Sequence, residues 1–383
     1  MKKWLALILI VTTCFNLTGC WNYREIDALT IVAGVGIERD PKNSDFIIYL
    51  ELVLPGNNPR GQSSVSKIIE SRGSTIFDAI RNAIRISGKR LFWSHAQIIV
   101  LSENAAREGI LDLLDFFYRD AEARITLRLL VAQNVSVKEI LTSKCFTNEI
   151  HSFEIYQILI NEKSIEKYPT VALFNIVGML KFDIPYAYLP SITIVKQTDS
   201  EVLEISGVAI FKGDKLKGFL NSEDTKYFLY VINEIKGGLL TKSTNQEKNN
   251  NSICLEVFNN KTSLKPVYKN GIITMEIHTE TEASIAETGP DVNYADKSGL
   301  TAVTEDMQDF LQQNILRVIE KVRNDFNIDI FGFGQTIYRD MPDIWKQYKN
   351  NWDTEFINLE LNVSSKIKIR NTATATKALN GVK

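Results

Sequence analysis

"INLELNVSSKIKI" (357–369) alternates with a period of two. Ile357, Leu359, Leu361, Val363, Ile367 and Ile369 take odd positions, with Ser365 among them. Asn358, Glu360, Asn362, Ser364, Lys366 and Lys368 take the even ones. Successive strand side chains point to opposite faces, so the pattern makes one face apolar and the other wet. Such a one-sided strand belongs to an antiparallel sheet covered on one face only. The cover lies upstream. In "EDMQDFLQQNILRVIEKVRNDF" (305–326), Met307, Leu311, Ile315, Val318, Ile319, Val322 and Phe326 form one stripe at helical spacing. A β-hairpin turning at "KGDK" (212–215) opens the same region. Residues 201–383 therefore read as an α+β domain, an antiparallel sheet under a long helix.

Upstream the pattern differs. "LTIVAGVGIER" (29–39) and "DFIIYLELVL" (45–54) read as strands rich in β-formers. "STIFDAIRNAIRISGK" (74–89) reads as a helix, with Ser74 as cap, Ile76, Ile80 and Ile84 on one face, and Gly88 at the stop. "HAQIIVL" (95–101) and "ITLRLLVAQ" (125–133) are buried-type strands, and Ser102 caps a helical segment between them. "SVKE" (136–139) has the spacing of a capping box. Strands alternating with helices predict a mixed α/β domain over 20–135. A mostly helical middle domain covers 136–200. The polar stretches 55–67, 241–251 and 288–299 read as loops. The fold class is thus α/β and α+β, multidomain, with mixed sheets and packed helices.

The front of the chain has its own logic. Lys2 and Lys3 precede twelve residues, 4–15, that are mostly apolar. That run is too short to span ~30 Å of hydrocarbon but fits the core of a secretory signal peptide. Leu17, Thr18 and Gly19 then lead into Cys20, a pattern that looks like the bacterial lipobox. Cleavage between Gly19 and Cys20 would remove residues 1–19, and the Cys20 thiol would carry the lipid. Thiolate nucleophilicity is why the position demands cysteine. No later run approaches membrane-spanning length, so the rest is expected to be soluble and tethered through acylated Cys20.

Composition narrows function by exclusion. A net charge of −2 is not the footprint of a nucleic-acid binder. His95, His151 and His278 are isolated, and no paired-cysteine or His-x-x-x-His spacing suggests a metal. "GVGIER" (34–39) lacks the third glycine of a dinucleotide loop. "SHAQ" (94–97) and "RDAEAR" (119–124) are polar clusters better explained by capping and ion pairing than by catalysis. Neither a catalytic residue nor a cofactor is assigned. Cys145 and Cys254 read as free thiols rather than a bridge. In "SGKRLFWSHAQ" (87–97), aromatics mixed with basic residues give a composition found at interfaces, which makes Phe92 and Trp93 either partner contacts or core.

Several segments together resemble a known family. "CWNYREIDAL" (20–29), "GVGIE" (34–38), "SGKRLFWSHAQIIVLSENAAREGILDLLDFFYRDAEAR" (87–124), "GVAIFKGDKLKGFL" (207–220) and "FGFGQTIYRDMPDIWKQYKNNWDTEF" (331–356), with Trp345 and Trp352, are similar in order to the Ger(x)C family, the lipoprotein C subunits of spore germinant receptors. The tail "RNTATATKALNGVK" (370–383) departs from that pattern. The resemblance implies a non-enzymatic subunit with a three-domain α/β fold. It also implies assembly with two membrane subunits, A and B, in the spore inner membrane, in a complex that responds to nutrients and starts germination. Two other readings share the lipid anchor: a solute-binding lipoprotein of a transporter, and a lipid-anchored hydrolase.

Overall fold

The computed structural model describes residues 3–4, 25, 28–55, 64–147, 150–198, 200–243, 252–289 and 296–372. Gly19, Cys20 and most of the apolar run before them lie outside the described residues, as do the middles of the three expected loops.

A nine-stranded mixed sheet organises the first half. Its strands are β1 (Leu29–Arg39), β2 (Phe46–Pro55), β3 (Ser64–Gly73), β4 (Arg90–Phe92), β5 (Ile98–Leu101), β6 (Arg128–Ala132), β7 (Tyr186–Lys196), β8 (Glu201–Lys212) and β9 (Lys215–Leu220). The order is β3-β2-β1-β5-β6-β7-β8-β9, with the short β4 parallel to the start of β1. The four central strands are parallel, and an antiparallel pair extends each edge. Parallel neighbours need crossovers, which helices supply. On one face lie α1 (Ile76–Ser87), α3 (Leu111–Arg119) and α6 (Leu173–Leu180); on the other, α4 (Val137–Thr142) and α5 (His151–Ile160). The short α2 (Glu103–Glu108) follows β5. With both faces covered, all four residues of β5 are buried, which explains its unbroken apolar run.

Most local signals hold. Ser102 caps α2, Ser136 and Glu139 form the capping box of α4, and Gly88 ends α1 at φ 70°, where glycine carries no Cβ penalty. The cap of α1 is Thr75 rather than Ser74. The Thr75 hydroxyl accepts from Asp78 N at 3.0 Å, while the Ser74 amide donates to the Asp78 carboxylate. Strand β3 falls partly in the stretch expected to be loop. Its sequence, "SVSKIIESRG", has too few apolar residues to announce a strand, and its place comes from ten pairings with β2.

The second sheet has the order β10-β11-β12-β13: β10 (Gly238–Lys242), β11 (Ile253–Lys269), β12 (Ile272–Thr288) and β13 (Glu360–Thr372). The first three are antiparallel, but β13 joins parallel to β12, from Thr274↔Glu360 onward. The period-two pattern fixed which face of β13 is wet; it carries no information on strand direction. Direction comes from the connection, in which α8 (Lys297–Asp325), α9 (Phe333–Asp340), α10 (Pro342–Tyr348) and α11 (Trp352–Asn358) carry the chain back to the start of β12. Leu359, Val363 and Ile367 face inward as the pattern requires, whereas Ile357 belongs to α11 and is exposed. The stripe on α8 is fully buried from Met307 to Val322; Phe326 is half-buried beside Gly218. Helix α7 (Ser222–Val231) packs between the sheets, so Val208, Ile210 and Leu220 of the β8–β9 hairpin share a core with α8 and β11–β13.

Candidate functional site

Buried ionisable groups mark places where a sequence tolerates electrostatic strain. Glu51 on β2 is fully buried opposite Gly34 of β1. A side chain at Gly34 would collide with Ser152, so the glycine lets α5 approach the sheet. Across that gap the Glu51 carboxylate accepts from the backbone amides of His151 (2.8 Å) and Ser152 (2.7 Å) and from the Ser152 hydroxyl (2.5 Å). It thereby caps a helix whose own N-cap residue, Ile150, offers no side-chain bond, and it sits where the helix dipole favours an anion. His151 Nδ1 lies 3.2 Å from the same carboxylate, and Nε2 contacts the Ser143 carbonyl. Burial pushes the Glu51 carboxyl up, but the His151 and Ser152 hydrogen bonds outweigh it and hold it below the usual range. Burial likewise pulls His151 down, and Glu51 with the Ser143 carbonyl leaves it raised. The glycines of "GVGIER" thus serve helix–sheet approach: at Gly36 a Cβ would strike Val137 of α4.

Two further carboxylates tie the second half together. Asp224, capped by Asn221 at the start of α7, holds Arg317 (2.6 Å) and Lys321 (2.7 Å) of α8. Asp329 is buried before α9 and accepts from Phe333 N (3.1 Å), Gly334 N (2.7 Å) and Trp352 Nε1 (3.1 Å). Around it Trp345 and Trp352 meet edge-on at 5.3 Å, and Phe182 stacks on Trp345 from the first half of the chain. The paired tryptophans are therefore core residues that clamp the two halves. Beside this seam lie two open clefts of about 450 and 600 Å³, sharing Tyr186. Tyr188, Gln335 and Arg339 line the first, and Lys212, Asp353 and Lys349 the second.

Glu166 is the exception. It is buried, and neither carboxylate oxygen makes a hydrogen bond of good geometry; burial pushes it up to about 7, against the attraction of Lys226. Among the described residues no group of three His, Cys, Asp or Glu side chains is placed to hold a metal. Cys145 and Cys254 are free; burial and the nearby Glu154 and Glu51 charges push the Cys145 thiol up to about 12.

Of the residues singled out from sequence, Cys20 and Gly19 lie outside the described residues. Trp93 is 3 % exposed, with its ring edge-on against Phe116 (5.9 Å) and Phe117 (5.4 Å), a core environment. Phe92 is half-buried beside His95. The polar clusters at 94–97 and 119–124 meet: the Ser94 hydroxyl donates to the Glu122 carbonyl, Arg90 pairs with Glu122, and Asp120 caps the backbone of Glu122 and Ala123. What the sequence did not single out is the surface above Trp93, where Phe77 of α1 stacks on Phe116 of α3 at 5.6 Å. The signal was present. In "LDLLDFFYRD" the inward positions are Leu113, Leu114 and Phe117, which forces Tyr118 outward and leaves Phe116 at the edge.

Fold and site together define a two-sheet α/β protein with helical clamps, whose buried acids serve mainly as caps and ties. Residues 22–194 match the family model "Spore germination protein N-terminal domain", and residues 206–373 match "Spore germination B3/ GerAC like, C-terminal". The chain belongs to this Ger(x)C family of spore germination proteins. It is 26 % identical over 398 residues to spore germination protein KC of Bacillus subtilis, covering 97 % of this chain and 96 % of that protein. It is 25 % identical over 375 residues to spore germination protein B3 of the same organism, covering 94 % and 96 %. The crystal structure of the GerBC protein has the same fold, with a TM-score of 0.55 at 21 % identity, covering 88 % of this chain and 98 % of that one.

Proposed function

We propose that the chain is the lipid-anchored C subunit of a spore germinant receptor, held on the outer face of the spore inner membrane. In this reading it works by protein contact with the membrane subunits A and B, without catalysis. The observation that carries the reading is collinear family similarity over nearly the whole chain. The Leu-Thr-Gly-Cys stretch at 17–20 supports the anchor. Among the described residues no helix is long and apolar enough to cross a membrane. A second acyl chain turns marginal membrane binding into stable attachment, at ~0.8 kcal/mol per buried methylene. The two halves, a nine-stranded and a four-stranded sheet, are unlike each other, which disfavours the similar lobes of a transporter's solute-binding protein.

The test is Cys20→Ala in spores lacking paralogues. Palmitate incorporation is expected to vanish, the protein to leave the membrane fraction, and the nutrient response to fall. A variant that germinates normally on every nutrient would sink the reading.

A further inference from the structure

We propose that the end of the nine-stranded sheet where the chain enters β1 is a membrane-contact surface, at which Leu54, Val65 and Ile86 meet a layer of anionic lipid headgroups attracted by Lys67, Arg85 and Lys89. It rests on the reading that Cys20 carries the lipid, and it adds which face of the body meets the bilayer.

Chain length fixes the end concerned. Leu29 opens β1 and pairs with Arg90 of β4, just past the end of α1. Leu29 follows Cys20 by nine residues. An extended chain spans at most ~3.6 Å per residue, so an acylated Cys20 holds this end within about 32 Å of the bilayer. Helix α1 leaves the sheet bare here. It starts where β3 ends and delivers the chain to β4, so it runs back along β3. The Ser71 hydroxyl donates to the Ala79 carbonyl at 2.7 Å, which sets helix against strand. From Ala79 to Ser87 the helix rises about 12 Å, the length of fewer than four strand residues, and so ends level with Lys67. Val65 and Leu54, paired across β3 and β2, lie beyond it. They are 41 % and 36 % exposed, and Ile86 in the last turn of α1 is 59 % exposed. A lone exposed aliphatic needs no explanation; three at the tethered end do.

Charge then selects the occupant. Lys67, Arg85 and Lys89 are exposed, and among the described residues none of them pairs with a carboxylate. Arg90 is neutralised by Glu122, and Glu25 is exposed at the chain entry. Cations therefore lead carboxylates by two at this end, and counting Arg124 and Asp120 as well keeps the lead at two. The chain as a whole carries −2, so the excess is local. The dipole of α1 explains Arg85, and protection of an edge strand explains a lysine such as Lys67, but neither explains the aliphatics beside them. Aliphatics among cations suit the headgroup boundary, where apolar groups enter the interface while Lys and Arg meet anionic phosphates. An acidic protein segment would satisfy the cations, but the bilayer is the surface that an acylated Cys20 brings within reach of this end.

The test uses the full lipidated chain in phosphatidylcholine vesicles with or without phosphatidylglycerol. A photo-crosslinking phenylalanine analogue stands at position 86 or, as control, at 362 on the wet face of β13. The expected result is phospholipid adducts at 86 well above those at 362, rising several-fold with phosphatidylglycerol. Lys67→Gln and Lys89→Gln should each lower the yield at 86 about fivefold in anionic vesicles, with the urea midpoint unchanged. Should Lys67→Gln perturb folding, Lys89→Gln, outside helix and strand, decides. Equal yields at 86 and 362, or a yield at 86 indifferent to anionic lipid and to both variants, overturn the proposal. So does capture at 86, in spore membranes, of a protein segment in place of phospholipid. A mature N-terminus whose mass shows no lipid on Cys20 would instead strike the anchor reading itself. An acylated chain without adducts at 86 fails this inference alone, so the two failures are distinguishable.

Discussion

Glu51 and Glu166 are the same residue type, both almost fully buried, and their carboxyls are displaced in opposite directions. Glu51 lies inside the first sheet, where a glycine opposite and a helix terminus above converge three donors and an imidazole on it. Glu166 lies where the two halves meet, packed against Gly238 at the start of β10, with Lys226 nearby. It has φ 56°, a left-handed backbone rare for a residue with a Cβ. Desolvation acts on both; at Glu51 the converging hydrogen bonds outweigh it, whereas at Glu166 the attraction of Lys226 and a backbone contact from Leu239 do not. The first sheet has used its buried charge as a fastener, whereas the junction carries one as a liability.

The largest way to break this comparison is Glu51→Ala. Three donors at the start of α5 would be left unpaired in the core, and removing one partner of such a buried set costs about 3–5 kcal/mol. Urea midpoints at neutral pH should fall accordingly, with α5 exchanging its amide protons first. The signs of the two shifts also fix a window. The depressed Glu51 contribution is full above its unfolded value and is lost as pH falls through the folded one. The raised His151 contribution is full below about 6.5 and is lost as pH rises through its folded value. A Glu51→Ala variant as stable as the parent would mean that water replaces the cap.

The sequence carried the elements of this arrangement but not their meeting. Strands β1 and β2, the capping box, the stripe of α8 and the alternation of β13 are local periodicities, and local periodicity is legible. That Glu51 would reach His151, 100 residues away, is a register fact set by the pairing of Gly34 with Glu51. Nothing near either residue encodes it. Phe77 and Phe116 illustrate the same limit: each helix shows an aromatic off its buried stripe, but their stacking depends on how α1 and α3 pack. Trp93 stayed open between core and contact in the sequence, because its polar neighbours reach the surface while the ring turns in. The parallel entry of β13 was hidden because alternation reports faces, not directions.

Glu166→Gln sharpens the comparison with the opposite sign. A carboxyl raised from about 4.5 to about 7 keeps, when folded, a proton that the unfolded chain releases. Stability therefore falls as pH rises across that window, and the full penalty, about 3 kcal/mol, applies above it. The amide cannot ionise. At pH 8 the variant should be more stable by up to that amount, and near pH 4.5 the two should converge. Equal loss of stability at both pH values would show that the carboxylate accepts bonds the amide cannot, which would make Glu166 a second Glu51.

The smallest effect is expected on the outer face of the second sheet, and its smallness is informative. Asn362 is exposed on β13, in register with Glu276 on β12. A lysine there would face an acidic neighbour across the strands, an interaction worth a few tenths of a kcal/mol at most on a wet surface. Asn362→Lys should shift the urea midpoint by less than about 0.5 kcal/mol equivalent. By contrast, a lysine at Ile99, enclosed on both faces of the first sheet, should abolish cooperative folding. If Asn362→Lys proved as damaging as a core change, the even face of β13 would be packed against something. The alternation in "INLELNVSSKIKI" would then mark two kinds of interface rather than an inside and an outside.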